Sequence, residues 1–191
     1  MAITYNFVAE DAIDQGADWY ANFIYNQPAL ITNMVNGTGE FEGYVVVTAI
    51  NGFLANQVVN ITGVLPAQFN FSNVTVVSVD NDYFTFAGSL DGPYISGGMA
   101  YAPVNLVGAT AEMQLRSSAN SSDAVLTLST DNNGIEITAL TGLMACHATA
   151  EQTRSIDEGY YYYDLELTIG STVTRVAQGQ ILVSAETVSY T

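Results

Sequence analysis

The chain contains one histidine and one cysteine, and they are neighbours, Cys146 and His147, in the segment "GLMACHATA". A thiolate activated by an imidazole is a nucleophile, so this pair is the first place to look for covalent catalysis. The segment alternates, however, and places Met144, Cys146 and Ala148 towards a core. Since adjacent residues of a strand point to opposite faces, the thiol and the imidazole cannot form an ion pair. The pattern therefore predicts a buried cysteine and an exposed histidine.

Oxygen ligands for a metal ion are the second kind of chemistry to consider. Asp80-Asn-Asp82 and Asp131-Asn-Asn133 offer clustered oxygens, but neither is followed by the distal glutamate of a calcium loop. Both segments are typical of turns in which an Asp or Asn side chain bonds the backbone. Gly97-Gly98 has no phosphate-loop context and is interpreted as a turn or a bulge. We expect no catalytic residue, no metal and no cofactor, and hence not an enzyme.

Alternation of apolar and polar residues dominates the chain and predicts an all-β fold. In "DWYANFIYN", Trp19, Ala21, Phe23 and Tyr25 share one face of a predicted strand. The segment 110–118 repeats the pattern, with apolar residues facing inwards at every second position. One short helix is expected after the capping-box sequence Thr149-Ala-Glu-Gln.

Two turns are predicted to form hairpins. In the first, Asp131-Asn-Asn-Gly134 separates two β-rich runs, and Gly134 is expected to supply a positive φ. In the second, Gly170-Ser171 suits a two-residue type II′ turn. Counting outwards from the second turn gives four predicted pairs: Ile169 with Thr172, Leu167 with Thr174, Glu166 with Arg175, and Leu165 with Val176.

Four consecutive tyrosines precede this second hairpin, in "GYYYYDLEL". The alternation puts Tyr161 and Tyr163 on the core side with the leucines, and Tyr160 and Tyr162 on the polar side. Two exposed tyrosines on one strand face begin to make a patch, and tyrosine is enriched in the cores of protein interfaces. Tyr160 and Tyr162 are therefore interface candidates, with ordinary strand surface as the alternative.

The charge of the chain limits its partners. It has 19 acidic residues against three arginines and no lysine, a net charge of −16. Such a surface lacks the cations needed to bind phosphate backbones or anionic lipid. We expect no nucleic-acid or membrane contact. The beginning of the chain shows no signal-peptide pattern, which indicates synthesis in a cytoplasm.

The middle of the chain has a β-rich pattern of its own, with at least four short strands expected between Pro28 and Pro103. We predict an antiparallel β-sandwich built from residues 1–26 and 104–191, with an inserted small β domain at 27–103. Apolar pairs beside likely turns of the insert add four interface candidates: Phe53, Leu54, Tyr94 and Ile95.

Four segments outside the insert form one set: "DQGADW" (14–19), "PVNLVGATAEMQLRSS" (103–118), "YYDLEL" (162–167) and "TVTRVAQGQILVSAE" (172–186). This set resembles a family of small tailed-phage virion proteins, of the cyanophage type, that look like the N-terminal β-sandwich of phage baseplate upper proteins. The insert contains a second set: "VVVTAINGFLANQVVNITGV" (45–64), "FSNVTVVSVDNDYFTFAG" (71–88) and "SGGMAY" (96–101). It is similar to a short β module of phage structural proteins.

This resemblance implies a non-enzymatic virion component, made in the host cytoplasm and assembled into the particle. Within that class we expect a capsid decoration or cement protein on the outside of the shell. A baseplate or tail-fibre adaptor is the alternative. The expected partners are the major capsid protein or tail and baseplate proteins, with a homo-oligomer on the particle. A carbohydrate-binding module is the rival from another class; it would need a concave aromatic platform with polar neighbours.

Overall fold

The structure is a computed structural model that describes residues 3–185, and strands make up most of this part of the chain. The all-β class is confirmed. In chain order the strands are β1 (Ile3–Thr4), β2 (Ile13–Asp14), β3 (Trp19–Ile24), β4 (Asn26–Asn36), β5 (Tyr44–Ala49), β6 (Val58–Leu65), β7 (Phe71–Asp80), β8 (Tyr83–Ala87), β9 (Ser96–Pro103), β10 (Thr110–Arg116), β11 (Ala124–Ser129), β12 (Ile135–Thr138), β13 (Leu143–Ala148), β14 (Gly159–Ile169) and β15 (Thr172–Ser184).

The contacts between residues divide the chain into two compact units. Unit 1 consists of Met1–Tyr25 and Asn105–Thr191, and unit 2 is Asn26–Val104. Each limit lies one residue from the boundary expected from the sequence. Unit 1 is therefore formed from the two ends of the chain, and unit 2 from its middle.

Unit 1 contains two sheets that face each other. One has the order β1-β15-β14-β10-β11, with β2 also paired to β15, and the other has the order β12-β13-β3. Phe7 beside the first sheet packs its ring 5.3 Å from Trp19 and 5.9 Å from Phe23 of β3, and 5.3 Å from Tyr163 of β14. These aromatic contacts connect the inner faces of both sheets, as in a sandwich. The predicted inward faces of β3 and β10 are confirmed.

The turn around Gly134 does not form the predicted hairpin. Strand β11 before it belongs to the six-stranded sheet and β12 after it to the three-stranded sheet, so the turn crosses between sheets. The positive φ is at Asn133 (+59°), not at the glycine. Gly134 is required for a different reason, because a Cβ there would lie 2.9 Å from the Cα of Leu128. Asn132 closes the turn by accepting the Gly134 N–H at 2.9 Å.

The hairpin of β14 and β15 has the predicted turn. Ile169 pairs with Thr172 and Leu167 with Thr174, and Gly170 adopts φ +61° as the first central residue of the turn. A positive φ at this position is the reason that a type II′ turn favours glycine. The core side of the strand is buried as expected, including Leu167.

A β-bulge changes the register beyond the ion pair. Glu166 lies opposite Arg175, as predicted, but Leu165 pairs with Ala177. The predicted pair of Leu165 with Val176 is wrong because Val176 is an extra residue in β15. A bulge of this kind places two residues against one, and here Val176 and Ala177 are both buried.

Unit 2 is a closed antiparallel barrel of six strands in the order β4-β5-β8-β7-β6-β9, two more than the minimum of four expected. Its centre is filled by alternate residues of every strand, including Val47, Phe84 and Ala100. Gly97 and Gly98 lie inside β9 and form neither the turn nor the bulge expected, since the pairing of β9 with β6 shows no register shift there. A Cβ on Gly97 would lie 2.8 Å from the backbone oxygen of Gly63, so the close approach of β6 and β9 requires glycine.

The predicted capping box is present at the start of the one α-helix described, α1 (Ala150–Arg154). The Thr149 hydroxyl accepts the Gln152 N–H at 3.3 Å, and the Gln152 side chain accepts the Thr149 N–H at 2.8 Å. Among residues 3–185, no helix has the length and apolar character needed to cross a membrane.

Deleting residues 29–102 and joining the ends with a short loop is expected to leave a folded β protein. Unit 1 has its own aromatic core, and closing a loop costs little more free energy when the loop is longer. Urea denaturation followed by Trp19 fluorescence should show a cooperative transition. A gradual, non-cooperative change would mean that unit 1 depends on the barrel.

Candidate functional site

Tyr160 and Tyr162 project from the outer face of the six-stranded sheet, with 61% and 41% of their surfaces exposed. Tyr161 and Tyr163 alternate with them and are buried, so the predicted division of the four tyrosines is confirmed. We call the pair Tyr160 and Tyr162 the tyrosine face.

The buried tyrosines hold β14 in place beneath this face. The hydroxyl of Tyr161 donates to the backbone oxygen of Asp157 at 2.9 Å, and that of Tyr163 donates to the backbone oxygen of Tyr5 at 2.9 Å. Burial raises the pKa of both phenols above the ordinary value, so they remain protonated donors. The exposed rings are therefore carried by a strand whose other side is anchored in the core.

A groove of about 610 Å³ adjoins Tyr162 on the same sheet face. Besides Tyr162 it is lined mainly by carboxylates, amides and two of the three arginines of the chain. Its polar side chains are Glu112, Gln114, Arg116, Asp164, Glu166, Arg175 and Gln178. We call this surface the polar groove.

Arg175 contacts three other side chains of the polar groove. Its Nε lies 3.4 Å from Asp164 Oδ1, its Nη2 3.9 Å from Glu166 Oε1, and its Nη1 donates to Gln178 Oε1 at 3.3 Å. Because Glu166 also lies directly opposite Glu112 of β10, the guanidinium offsets a like-charge contact across the strands. These side chains are about half exposed, so each pair contributes only about 0.2–1 kcal/mol to stability.

Arg116 forms a second polar cluster at the end of the groove near Tyr162, its partner across the strands. Its Nε donates to Gln114 Oε1 at 3.1 Å, and Gln114 in turn donates to Glu112 Oε1 at 2.6 Å. The groove thus presents donors and acceptors in alternation beside an aromatic ring. That arrangement can bind a ligand by hydrogen bonds and stacking, and it contains no nucleophile positioned beside a base.

Phe53 is not available to a partner, in contrast to the sequence-based expectation. Its ring is 4% exposed and packs edge-to-face on Phe84 in the barrel core, with 5.3 Å between ring centroids. The turn itself directs it inwards, because the Asn51 side chain accepts the Phe53 N–H at 3.0 Å. Its neighbour Leu54 is 51% exposed and stays an interface candidate.

Tyr94 and Ile95 have different environments. The ring of Tyr94 is half-buried against the barrel core, and its hydroxyl donates to the backbone oxygen of Gly97 at 2.9 Å. Ile95 is exposed. Of the four candidates in unit 2, Leu54 and Ile95 are therefore accessible, while Tyr94 has a structural role and Phe53 belongs to the core.

Cys146 and His147 point to opposite sides of β13, as predicted. Burial raises the pKa of the Cys146 thiol to about 12, so it is not a thiolate at neutral pH. His147 is half-buried, not fully exposed as expected, because its ring stacks on Tyr20 with 4.5 Å between centroids. Its Nε2 lies 3.9 Å from Asp18 Oδ1.

The Cys146 thiol is expected to react with a maleimide or a disulfide reagent only after unfolding. At pH 8 we expect labelling of the native protein to be slower than in guanidinium chloride by roughly 100-fold or more, because reaction requires exposure of the thiolate. Mass spectrometry over time measures the rate. Equal rates in the native and unfolded protein would contradict the burial of Cys146.

The acidic turns make local hydrogen bonds. Asp80 Oδ1 accepts the Asn81 N–H at 2.7 Å, which is the turn role predicted for this segment. Within residues 3–185, no three or more His, Cys, Asp or Glu side chains are grouped so that they could hold a metal ion.

The polar groove was missed by the sequence analysis, although the alternation of β10 and β14 predicts that their polar residues lie on one sheet face. Recognising the groove required the pairing of these two strands, which are separated by more than forty residues along the chain.

No protein-family model, no curated protein and no solved structure matches this chain. The resemblance to phage virion proteins is therefore not tested by these comparisons and stays a prediction.

Proposed function

We propose that this chain is a non-enzymatic structural protein of a phage particle, which docks on an assembled protein lattice through the tyrosine face. The observation that carries the proposal is the pair of exposed rings, Tyr160 and Tyr162, on a strand fixed from below by two buried tyrosines. Aromatic residues at the centre of an interface commonly dominate its binding free energy.

The favoured location is the outer surface of the capsid, where the protein would act as a decoration or cement protein. The net charge of −16 supports a place outside the packed DNA, since a strongly acidic surface is repelled by phosphates. A baseplate or tail-fibre adaptor is the second location. The partner is then the major capsid protein or a tail protein, and several copies assemble on the particle.

The number of copies per particle tests this proposal. Particles purified on a density gradient are analysed by quantitative mass spectrometry against the major capsid protein. Hundreds of copies support shell decoration, and a handful to a few dozen support the tail or baseplate. Absence of the protein from purified particles would contradict the proposal.

A second candidate function is carbohydrate binding, and the polar groove beside Tyr162 specifically favours it. Sugars bind through stacking on an aromatic ring and hydrogen bonds to planar polar side chains, and this groove offers both. Glycan-array binding that is lost in Gln178→Ala, with unchanged particle association, would support this function. Particle association without glycan binding would exclude it.

A further inference from the structure

Strand β3 is an edge strand of the three-stranded sheet. Within the described residues it pairs on one side with β13, and no strand pairs with its other side. Uncovered edges of this kind bind further strands readily unless charges, prolines or bulges protect them. β3 has the sequence "WYANFI", which contains no charged residue and no proline, and its pairing with β13 shows no bulge.

The direction of its backbone groups follows from the surrounding hydrogen bonds. Tyr25 N–H donates to Gly142 O at 2.9 Å, so the odd-numbered residues of β3 point their backbone groups towards β13. His147, which lies opposite Tyr20 in the sheet, donates its N–H to Gly134, away from β3. His147 and Tyr20 are therefore not a hydrogen-bonded pair, which agrees with the odd-numbered residues being the ones that bond to β13. The backbone groups of the three even-numbered residues, Tyr20, Asn22 and Ile24, therefore point to the open edge. No partner for them occurs within residues 3–185.

The open edge borders a groove of about 450 Å³. One wall is β3 itself, from Tyr20 to Tyr25, and the other includes Tyr5, Phe7 and Val176. Most of these side chains are apolar or aromatic, and Asp11 is the one charged residue among those that line it. An added strand would thus meet free backbone groups along one side and apolar side chains beneath it.

Charge indicates which strand fits this edge. Residues 19–25, which include all of β3, contain no charged side chain, although the chain as a whole carries −16. A second copy of so acidic a protein can approach closely only where neither surface brings carboxylates together. The edge of β3 meets that condition.

We propose that β3 pairs with β3 of a second copy, antiparallel and centred on Asn22, to form one six-stranded sheet across a two-fold axis. The register is self-complementary. Tyr20 lies opposite Ile24 of the second copy, which pairs two exposed apolar side chains on the outer face, and Ala21 lies opposite Phe23, a small residue against a large one.

This pairing does not depend on the proposed function, because it uses β3 and not the tyrosine face. A contact built on one strand pair and an apolar groove is smaller than a standard protein interface, so we expect dimerisation in the roughly micromolar range. A closed two-fold contact also ends at the dimer and does not form fibres.

The first test removes the central backbone donor. Asn22→Pro deletes an N–H that points to the open edge and is not used in the ladder to β13, so the fold should be retained. Because of the two-fold axis the substitution removes two bonds from the dimer. Sedimentation velocity from about 1 to 100 µM should show a dimer for the natural protein. For Asn22→Pro the dissociation constant of the dimer should be at least about tenfold larger. Near-ultraviolet circular dichroism checks that the variant remains folded.

The second test checks the register with matched charge variants. Tyr20→Lys with Ile24→Lys puts like charges opposite each other across the axis and should give a monomer. Tyr20→Lys with Ile24→Glu puts opposite charges at the same two positions and should give a dimer that weakens as salt is added. A natural protein that is monomeric at 100 µM would overturn the proposal and leave the edge to a strand of a different protein. Equal dimerisation by the two charge variants, or by Asn22→Pro and the natural protein, would also overturn it.

Discussion

Replacing Phe53 with alanine is expected to lower the free energy of unfolding of the barrel by about 3–5 kcal/mol, the usual cost of removing a buried phenylalanine ring. The ring is fully enclosed and makes an edge-to-face contact with Phe84. Its loss leaves a cavity between strands that are closed into a barrel and cannot easily collapse. Hydrogen exchange of the β5 and β8 amides measures the change.

Leu54→Ala is the matched control, since the neighbouring side chain is about half exposed. It should change the stability by less than about 0.5 kcal/mol, as surface substitutions usually do. If Phe53→Ala were as mild as Leu54→Ala, Phe53 would be a surface residue and could again be considered as an anchor for a partner.

Replacing Gly179 with alanine is expected to destabilise unit 1 by about 3 kcal/mol, through steric overlap and lost buried hydrogen bonds. A Cβ at this position would lie 1.8 Å from the backbone oxygen of Tyr5. That oxygen accepts the buried Tyr163 hydroxyl at 2.9 Å, and the Tyr5 N–H donates to Gln178 at 3.0 Å. Displacing Tyr5 therefore breaks the contact between the N-terminal segment and β15.

Trp19 fluorescence during urea denaturation follows the stability of unit 1, because the chain has a single tryptophan and it lies in this unit. Val173→Ala is the control, since this side chain lies in the same unit and is 60% exposed, so its truncation should move the midpoint little. A transition midpoint for Gly179→Ala that matches the natural protein would mean that the N-terminal segment does not pass over Gly179.

Local alternation was sufficient to predict the faces of β3, β10 and β14, because the side-chain period of a strand is fixed by its backbone geometry. The capping box at Thr149 and the turn at Gly170 were also predictable from local sequence. Each depends on residues close in sequence, whose hydrogen bonds form within one element.

Features that depend on which strands pack against a segment could not be predicted from its local pattern. The crossing at Gly134 was mistaken for a hairpin because the same turn residues serve both connections, and the difference lies in the strands with which β11 and β12 pair. The bulge at Val176 leaves no mark in the alternation, since the next residue, Ala177, is also small and apolar. Phe53 was taken for a surface residue because it lies beside a turn, but the Asn51 bond directs it into the barrel.

Occupancy of purified particles by the variant Tyr160→Ala, Tyr162→Ala tests whether the tyrosine face docks on the particle. Truncating aromatic anchors at the centre of an interface costs about 2 kcal/mol or more per residue, so the double variant should fold normally and bind particles at least roughly 100-fold more weakly. Glu166→Gln, a change in the polar groove away from the two rings, is the control and should leave occupancy nearly unchanged. We expect particles that carry the natural protein and Glu166→Gln but are depleted of the double variant. Full occupancy by the double variant would contradict docking through the tyrosine face.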